Sequence, residues 1–212
     1  MATLRAALGQ IAGARRPFVI LNLVYFGIVF SAMAYCLFDR SVHDSLGKPV
    51  LAGLASGPLA GVFGAYNGGH FVWAFFLTFL VNLFVGSFAA ITLPSLLIPF
   101  SGLLLGAFRA LLWGVVFSPP LSDLTAPRVL AGLLVLGVLL LEGEAYVLAM
   151  LAAYLQGRAW LAPRFVGTIS HWEGYRRGVG IALQIYALVI LVLIAAALYE
   201  TLVGILLLSR IL

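Results

Sequence analysis

Apolar positions run along this chain in long unbroken stretches rather than in the one-sided stripes of a soluble helix. Five stretches qualify as spans: Pro17–Phe38, Phe71–Leu93, Leu96–Phe117, Val129–Leu155 and Val179–Leu208. A hydrocarbon core about 30 Å thick and a helical rise of about 1.5 Å per residue together require roughly 20 predominantly apolar residues per span. The pattern predicts an all-α, polytopic transmembrane helical bundle of about five spans, one integral membrane domain over residues 1–212. In the first span Ala32-Met33-Ala34 imitates a signal-peptide cleavage site, yet the segment is expected to stay as a retained anchor. Tyr35 is too bulky for the position before a lipoprotein acylation site at Cys36.

The stretch Pro49–His70 is apolar enough to compete as a sixth span. Gly53, Gly57 and Gly61 recur every four residues, with Ala52, Ser56, Ala60 and Gly64 nearby. On a helix they form one broad face of small residues that permits close helix packing. Pro58 would kink or interrupt it. A re-entrant or membrane-surface helix packed on the bundle is one reading, a Gly-rich outer loop the other.

Basic residues set the orientation. With five spans and a cytoplasmic N-terminus, Arg5, Arg15, Arg16, Arg158, Arg164, Arg176 and Arg177 all face the cytoplasm. Arg40, Lys48, Arg128 and Arg210 then lie outside, together with the C-terminus. This obeys the positive-inside rule and places the protein in a cell (inner) membrane. A sixth span at Pro49–His70 would push the four-arginine loop outside. That loop, Gly157–Gly178, mixes its arginines with Trp160, Leu161, Phe165, Ile169 and Trp172, the make-up of an amphipathic helix at the headgroup layer.

Composition closes off the soluble classes. The set AVILMFWYC makes up 64% of the chain and Asp, Glu, Lys and Arg only 9%, against about 25% charged in soluble domains. The net charge of +5 reflects scarce acids rather than a basic patch, so no nucleic-acid partner is expected. One cysteine, Cys36, excludes an internal disulfide, and His43, His70 and His171 are isolated, so neither metal nor cofactor is expected.

Chemistry concentrates in a few polar side chains inside the spans. Glu142 is the middle residue of Val129–Leu155, Glu144 follows it, and Arg109 lies just past the centre of Leu96–Phe117. A charge at mid-helix costs about 2.5–3.5 kcal/mol on insertion scales, so such residues face the bundle interior and pair. Residues two apart point about 200° from each other, so the two glutamates cannot share one partner. Glu142 is the better depth match for an ion pair with Arg109. Asn82 and Asn22 read as interhelical hydrogen-bonding groups, and Gly102 and Gly106 as a close helix crossing. No histidine lies deep in a span and no HExxH occurs, so no catalytic set is found and no enzyme is expected.

Three of these segments also carry a family likeness. The run Leu93-Pro94-Ser95-Leu96-Leu97-Ile98-Pro99-Phe100-Ser101-Gly102-Leu103-Leu104-Leu105-Gly106 resembles a span entry of the stage II sporulation protein M family. Phe75–Leu83, with Asn82, resembles that family's preceding span, and Leu141–Ala149 is similar to its mid-membrane glutamate followed by Ala-Tyr. Ser101 departs from the family's usual asparagine, and Val138–Leu141 from the Pro-His-Gly that often precedes the glutamate. The likeness covers about Phe75–Gly157. It implies a non-enzymatic membrane protein that scaffolds an envelope assembly or forms a permease part.

Two functions from different classes follow as expectations. One is a scaffold or accessory subunit of a membrane complex, with a membrane-protein partner or a second copy as its associate. The other is a transporter or channel component using Arg109, Glu142 and Glu144.

Overall fold

The computed structural model describes residues 2–57, 59–119 and 125–208, and all regular structure among them is helical. Pro58 and Arg210, invoked above, lie outside the described residues. The elements are α1 (Ala2–Gly13), α2 (Arg15–Phe38), α3 (Arg40–Ser56), α4 (Ala60–Asn67), α5 (Phe71–Leu97), α6 (Ser101–Val116), α7 (Ala126–Leu161) and α8 (His171–Leu208). Helices α2, α5, α7 and α8 are long and apolar enough to cross a membrane. Helix α6 is apolar but has 16 residues, about 24 Å at the usual rise. Helices α3 and α4 meet at 83°, as a broken span or a re-entrant loop. The result is an all-α bundle of about five spans.

Helix α7 is the axis of this bundle. Every residue from Ala145 to Ala153 is buried, so it is apolar on all sides because neighbours surround it. Its main neighbour is α8, which returns antiparallel along it. Small residues set their spacing at one end: Gly178 abuts the Gln156 backbone, with room of only 3.0 Å for a Cβ beside its carbonyl oxygen. Ala145, Leu148, Ala152 and Leu155 of α7 interleave there with Ala182, Ile185, Val189 and Leu193 of α8. On the other flank of α7, Tyr25 and Val29 of α2 and Ala110 of α6 complete a second cluster with Val147 and Met150.

The boundary between the second and third expected spans moves. Pro94 does not end α5, because it occupies the first turn of a final α-helical stretch, Leu93–Leu97, where its missing N–H costs little. The chain reverses instead at Ile98–Phe100, with Phe100 in the left-handed region at φ 68°, and α6 begins at Ser101 rather than Leu96. The Ser95 hydroxyl accepts from the Gly102 N–H at 2.7 Å, joining the two sides of the reversal.

Segment Gly157–Gly178 is not a separate amphipathic helix. Helix α7 continues to Leu161, a 3-10 turn covers Pro163–Val166, and α8 starts at His171, capped by Ser170. The aromatic residues pack on one another: Trp172 stacks on Tyr175 and Trp160 meets it edge-on. Arg158 covers the Phe165 ring at 4.1 Å, and Arg177 bonds the Val166 carbonyl at 2.7 Å and the Glu173 carboxylate. Glu173 sits in the polar first turn of α8, ahead of its apolar stretch. The Thr168 hydroxyl and Arg177 hold its carboxyl below the usual carboxylate range.

Helix α1, which the span pattern does not register, folds back toward this corner. Gln10 on α1 donates to Gln184 on α8 at 3.0 Å. Ala14, just before Arg15 and Arg16, packs in the cluster that holds Leu155 and Ala182, so the start of α2 lies toward the end of the bundle where α7 finishes and α8 begins. At the opposite end Arg40 bonds the Ser118 carbonyl at 2.9 Å, and His43 Nδ1 is 2.8 Å from the Val115 carbonyl, fastening α3 to the end of α6. Arg40 and His43 are thus anchored at the end of the bundle where α6 finishes.

The small-residue face of Pro49–His70 is corrected. The break after Ser56 divides it between α3 and α4, so it is not one continuous face. Gly53, Gly57 and Gly61 are exposed; a Cβ on Gly53 would meet nothing and one on Gly61 only Leu77, at 3.8 Å. The close crossings lie elsewhere. A Cβ on Gly102 would strike the Ile91 carbonyl, one on Gly106 would stand 2.5 Å from Met150 Sδ, and one on Gly114 would lie 2.7 Å from the Ala32 Cβ.

Candidate functional site

Four helices deliver polar side chains to one place in the apolar interior. Arg109 comes from α6, Asn82 from α5, Glu142 and Tyr146 from α7, and Glu200 from α8. The Arg109 guanidinium lies over the Tyr146 ring, 4.1 Å from its centre, and its Nη2 donates to the Tyr146 hydroxyl at 2.6 Å. That hydroxyl donates in turn to Asn82 Oδ1 at 2.7 Å. Asn82 Nδ2 donates to Glu142 Oε1, and Glu142 stands side chain to side chain with Glu200. Tyr66 of α4 closes the far end: its hydroxyl lies beside Glu200 and is 3.2 Å from the Thr78 hydroxyl and 3.4 Å from that of Thr201.

Local sequence explains how these groups meet. Glu142 and Tyr146 are four residues apart on α7, so they share one face. Helix α5 changes to the wider π winding at Val81, next to Asn82, and α8 does so at Leu202, after Glu200 and Thr201. Such wide turns concentrate at functional sites. In a helix every side chain leans toward its own N-terminus. Helices α7 and α8 are antiparallel, so Glu142 and Glu200 lean toward each other from different levels. Gly86 leaves space for Arg109 and Tyr146: a Cβ there would lie 3.1 Å from the Tyr146 ring and 3.2 Å from Arg109 Nη2.

The arrangement bears on three sequence expectations and overturns the direct ion pair. Arg109 and Glu142 belong to one network but make no direct salt bridge, because Tyr146 and Asn82 stand between them. Asn82 is an interhelical hydrogen-bonding group, as expected, and it is also the link between charge and carboxyl. Glu144 is placed apart: it lies beside Asn22 of α2, whose amide donates to the Phe18 carbonyl at 3.2 Å, and takes no part in the relay. The half-turn between residues 142 and 144 sends them to different neighbours.

Sequence reading did not single out Glu200, Tyr146 or Tyr66. Glu200 is an acid inside the fifth apolar stretch and was visible as such; only its partner was not. The tyrosines carry no distinguishing signal in a chain with eight of them. Among the described residues, no group of three His, Cys, Asp or Glu side chains is placed to hold a metal ion.

The charge count defines the chemistry. One guanidinium and two carboxyls are electrically neutral when the carboxyls together keep one proton. Two carboxylates side by side in apolar surroundings repel strongly, the situation that makes paired acids share a proton. The site can therefore hold and release one proton between Glu142 and Glu200, with Arg109 as the fixed countercharge. No protein-family model, curated protein or solved structure matches the chain.

Proposed function

We propose that this protein is a non-enzymatic, multi-pass component of a membrane transport system that carries protons on the Glu142–Glu200 pair. The observation that supports it is the meeting of the two carboxyls, end to end with a relay to Arg109. A purely structural clamp needs one acid for one arginine. A second buried acid adds desolvation cost without adding a countercharge, and intramembrane acids retained at such cost mark proton and ion pathways. In this reading Asn82 and Tyr146 transmit the state of the pair to Arg109, and Tyr66 covers its outer end.

The protein sits in the cell membrane with its N-terminus cytoplasmic and its C-terminus outside, the end rich in arginine facing the cytoplasm. Anionic lipid headgroups balance that end. The test is a proton-flux assay in liposomes containing the purified chain, with an imposed pH gradient and a trapped pH-sensitive dye. Flux above that of empty liposomes is expected, reduced at least tenfold by Glu142→Gln and by Glu200→Gln and unaffected by Glu144→Gln. Equal flux in all three variants and the parent would refute the assignment.

A second reading, scaffold or accessory subunit of an envelope complex, rests on a separate feature. An apolar groove of about 1000 Å³ opens sideways between α2, α3 and α6, lined by residues such as Leu23, Gly27, Leu46 and Phe108. Its width and small residues suit a helix of another membrane protein or a second copy, and the likeness to the stage II sporulation protein M family points the same way. Both readings hold together if the protein is the proton-carrying subunit of a larger assembly.

A further inference from the structure

The corner between α7 and α8 holds a hollow of about 340 Å³, lined by Leu161, Ala162, Pro163, Arg164, Ile169 and His171. Its size is that of a small-molecule site, about 300–1,000 Å³. Helices α7 and α8 have 36 and 38 residues, and their apolar stretches end at Leu155 and begin at Val179. About 20 residues suffice to cross the hydrocarbon, so the corner stands at the headgroup layer. Residues 157–178 contain four arginines but one acid, Glu173. Arg177 takes that acid and Arg158 lies over the Phe165 ring. Arg164 is exposed on the hollow and has no ion pair among the described residues. Helix α8 begins at the same place. His171, its first residue, is held with Nδ1 2.8 Å from the Trp160 carbonyl, and the Ser170 hydroxyl accepts from the Glu173 N–H. The other N–H groups of that first turn add positive character at the edge of the hollow. The opposite wall is apolar and bare: Ile169 is 86% exposed and Leu161 54%.

We propose that this hollow binds one anionic glycerophospholipid, its phosphodiester on Arg164 and the first turn of α8, its glycerol and upper acyl chain along Leu161 and Ile169. An arginine fork and a helix N-terminus both suit phosphate oxygens. The surplus of three arginines over the acid supplies the complementary charge. The apolar wall decides between sources of such an anion. Free phosphate or an acidic peptide would leave Leu161 and Ile169 uncovered, whereas a lipid brings its phosphate and its hydrocarbon to the two walls together. Basic and apolar groups combined in this way are the usual make-up of a surface at the headgroup layer. The site is separate from the Glu142–Glu200 pair and stands whether or not that pair carries protons; it requires only that the chain sits in a bilayer.

The test is native mass spectrometry of the delipidated chain in detergent, titrated with phosphatidylglycerol and with phosphatidylcholine of the same acyl chains. One phosphatidylglycerol per chain is expected to bind about tenfold more tightly than phosphatidylcholine. Arg164→Gln should weaken that binding about tenfold. Arg176→Gln removes the same charge from the same corner without lining the hollow, and should weaken it by no more than about twofold. Ile169→Ser, on the apolar wall, should also weaken it. Arg164 and Ile169 are exposed, so both variants should keep the parent's unfolding midpoint in the absence of lipid. Equal affinity for the two lipids, or equal losses in Arg164→Gln and Arg176→Gln, would overturn the proposal. Displacement of phosphatidylglycerol by an equal concentration of inorganic phosphate or of a hexaglutamate peptide would overturn it as well, since the ligand would then be a free anion or an acidic protein segment.

Discussion

Tyr146 is the residue on which the relay turns, since its hydroxyl accepts from Arg109 and donates to Asn82. Tyr146→Phe keeps the ring under the guanidinium and deletes both bonds. Interhelical hydrogen bonds in bilayers are worth about 0.6–2 kcal/mol each, so the variant should lose about 1–3 kcal/mol, measured by reversible unfolding in mixed detergent and denaturant. Truncation at Asn82 leaves Glu142 without its donor, and Asn82→Ala should cost at least as much. Arg109 and Glu142 were read from the sequence for a simple physical reason, which Glu200 shares although it was not singled out. An arginine or glutamate in the middle of an apolar run is expensive, so its presence announces a partner. What linear sequence could not show was which partner. Glu142 and Arg109 match in depth when each is measured along its own span. Yet the tyrosine one turn from Glu142 intervenes, and Glu200 arrives from a different level by leaning along an antiparallel helix. Residue depth in a span is thus a poor guide to pairing when side chains several ångströms long point along the helix axis.

At the scale of elements, glycines separate true crossings from apparent ones. Gly102 faces the backbone carbonyl of Ile91, which cannot move aside, whereas Gly106 faces the flexible end of Met150. Gly102→Ala should therefore destabilise by about 2–3 kcal/mol and Gly106→Ala by less, within the usual range for overpacking. Gly53→Ala, in open space, should change stability by no more than about 0.5 kcal/mol. Thermal unfolding of the three variants in the same detergent checks the order. The GxxxG spacing at Gly102 and Gly106 pointed to a real crossing. The longer glycine repeat of residues 53–61 did not, because the break between α3 and α4 divides its face. The reversal at Ile98–Phe100 was equally hidden: a proline earlier in the run drew the boundary, while the turn is made by Phe100 in a conformation its side chain does not favour. The corner before α8 adds a pH test. Glu173 has its carboxyl lowered on folding by Thr168 and Arg177, so its contribution is present above the ordinary carboxylate range and is lost as pH falls through the lowered value. Protection of the amides across residues 163–173, measured against their intrinsic exchange rates, should fall at acid pH, and Glu173→Gln should show that lower protection already at neutral pH.

For the whole molecule, the count of apolar runs and the asymmetry of arginines conveyed the architecture, because a bilayer imposes length and orientation on any chain that crosses it. The fold brings the start of α2, with Arg15 and Arg16, toward the corner between α7 and α8, which neither run alone demanded. In a chain with Cys36→Ala, a cysteine introduced at Lys48 should react with a membrane-impermeant thiol reagent in intact cells, and one at Arg176 only after the cells are permeabilised. The central claim concerns the acid pair, and its most direct test is the infrared spectrum of the purified protein at neutral pH. Sharing of one proton by Glu142 and Glu200 predicts a protonated-carboxyl C=O band that disappears in Glu142→Gln and in Glu200→Gln, where the remaining acid is balanced by Arg109, and persists in Glu144→Gln. A parent spectrum without that band, or a band that survives both substitutions, would contradict the account.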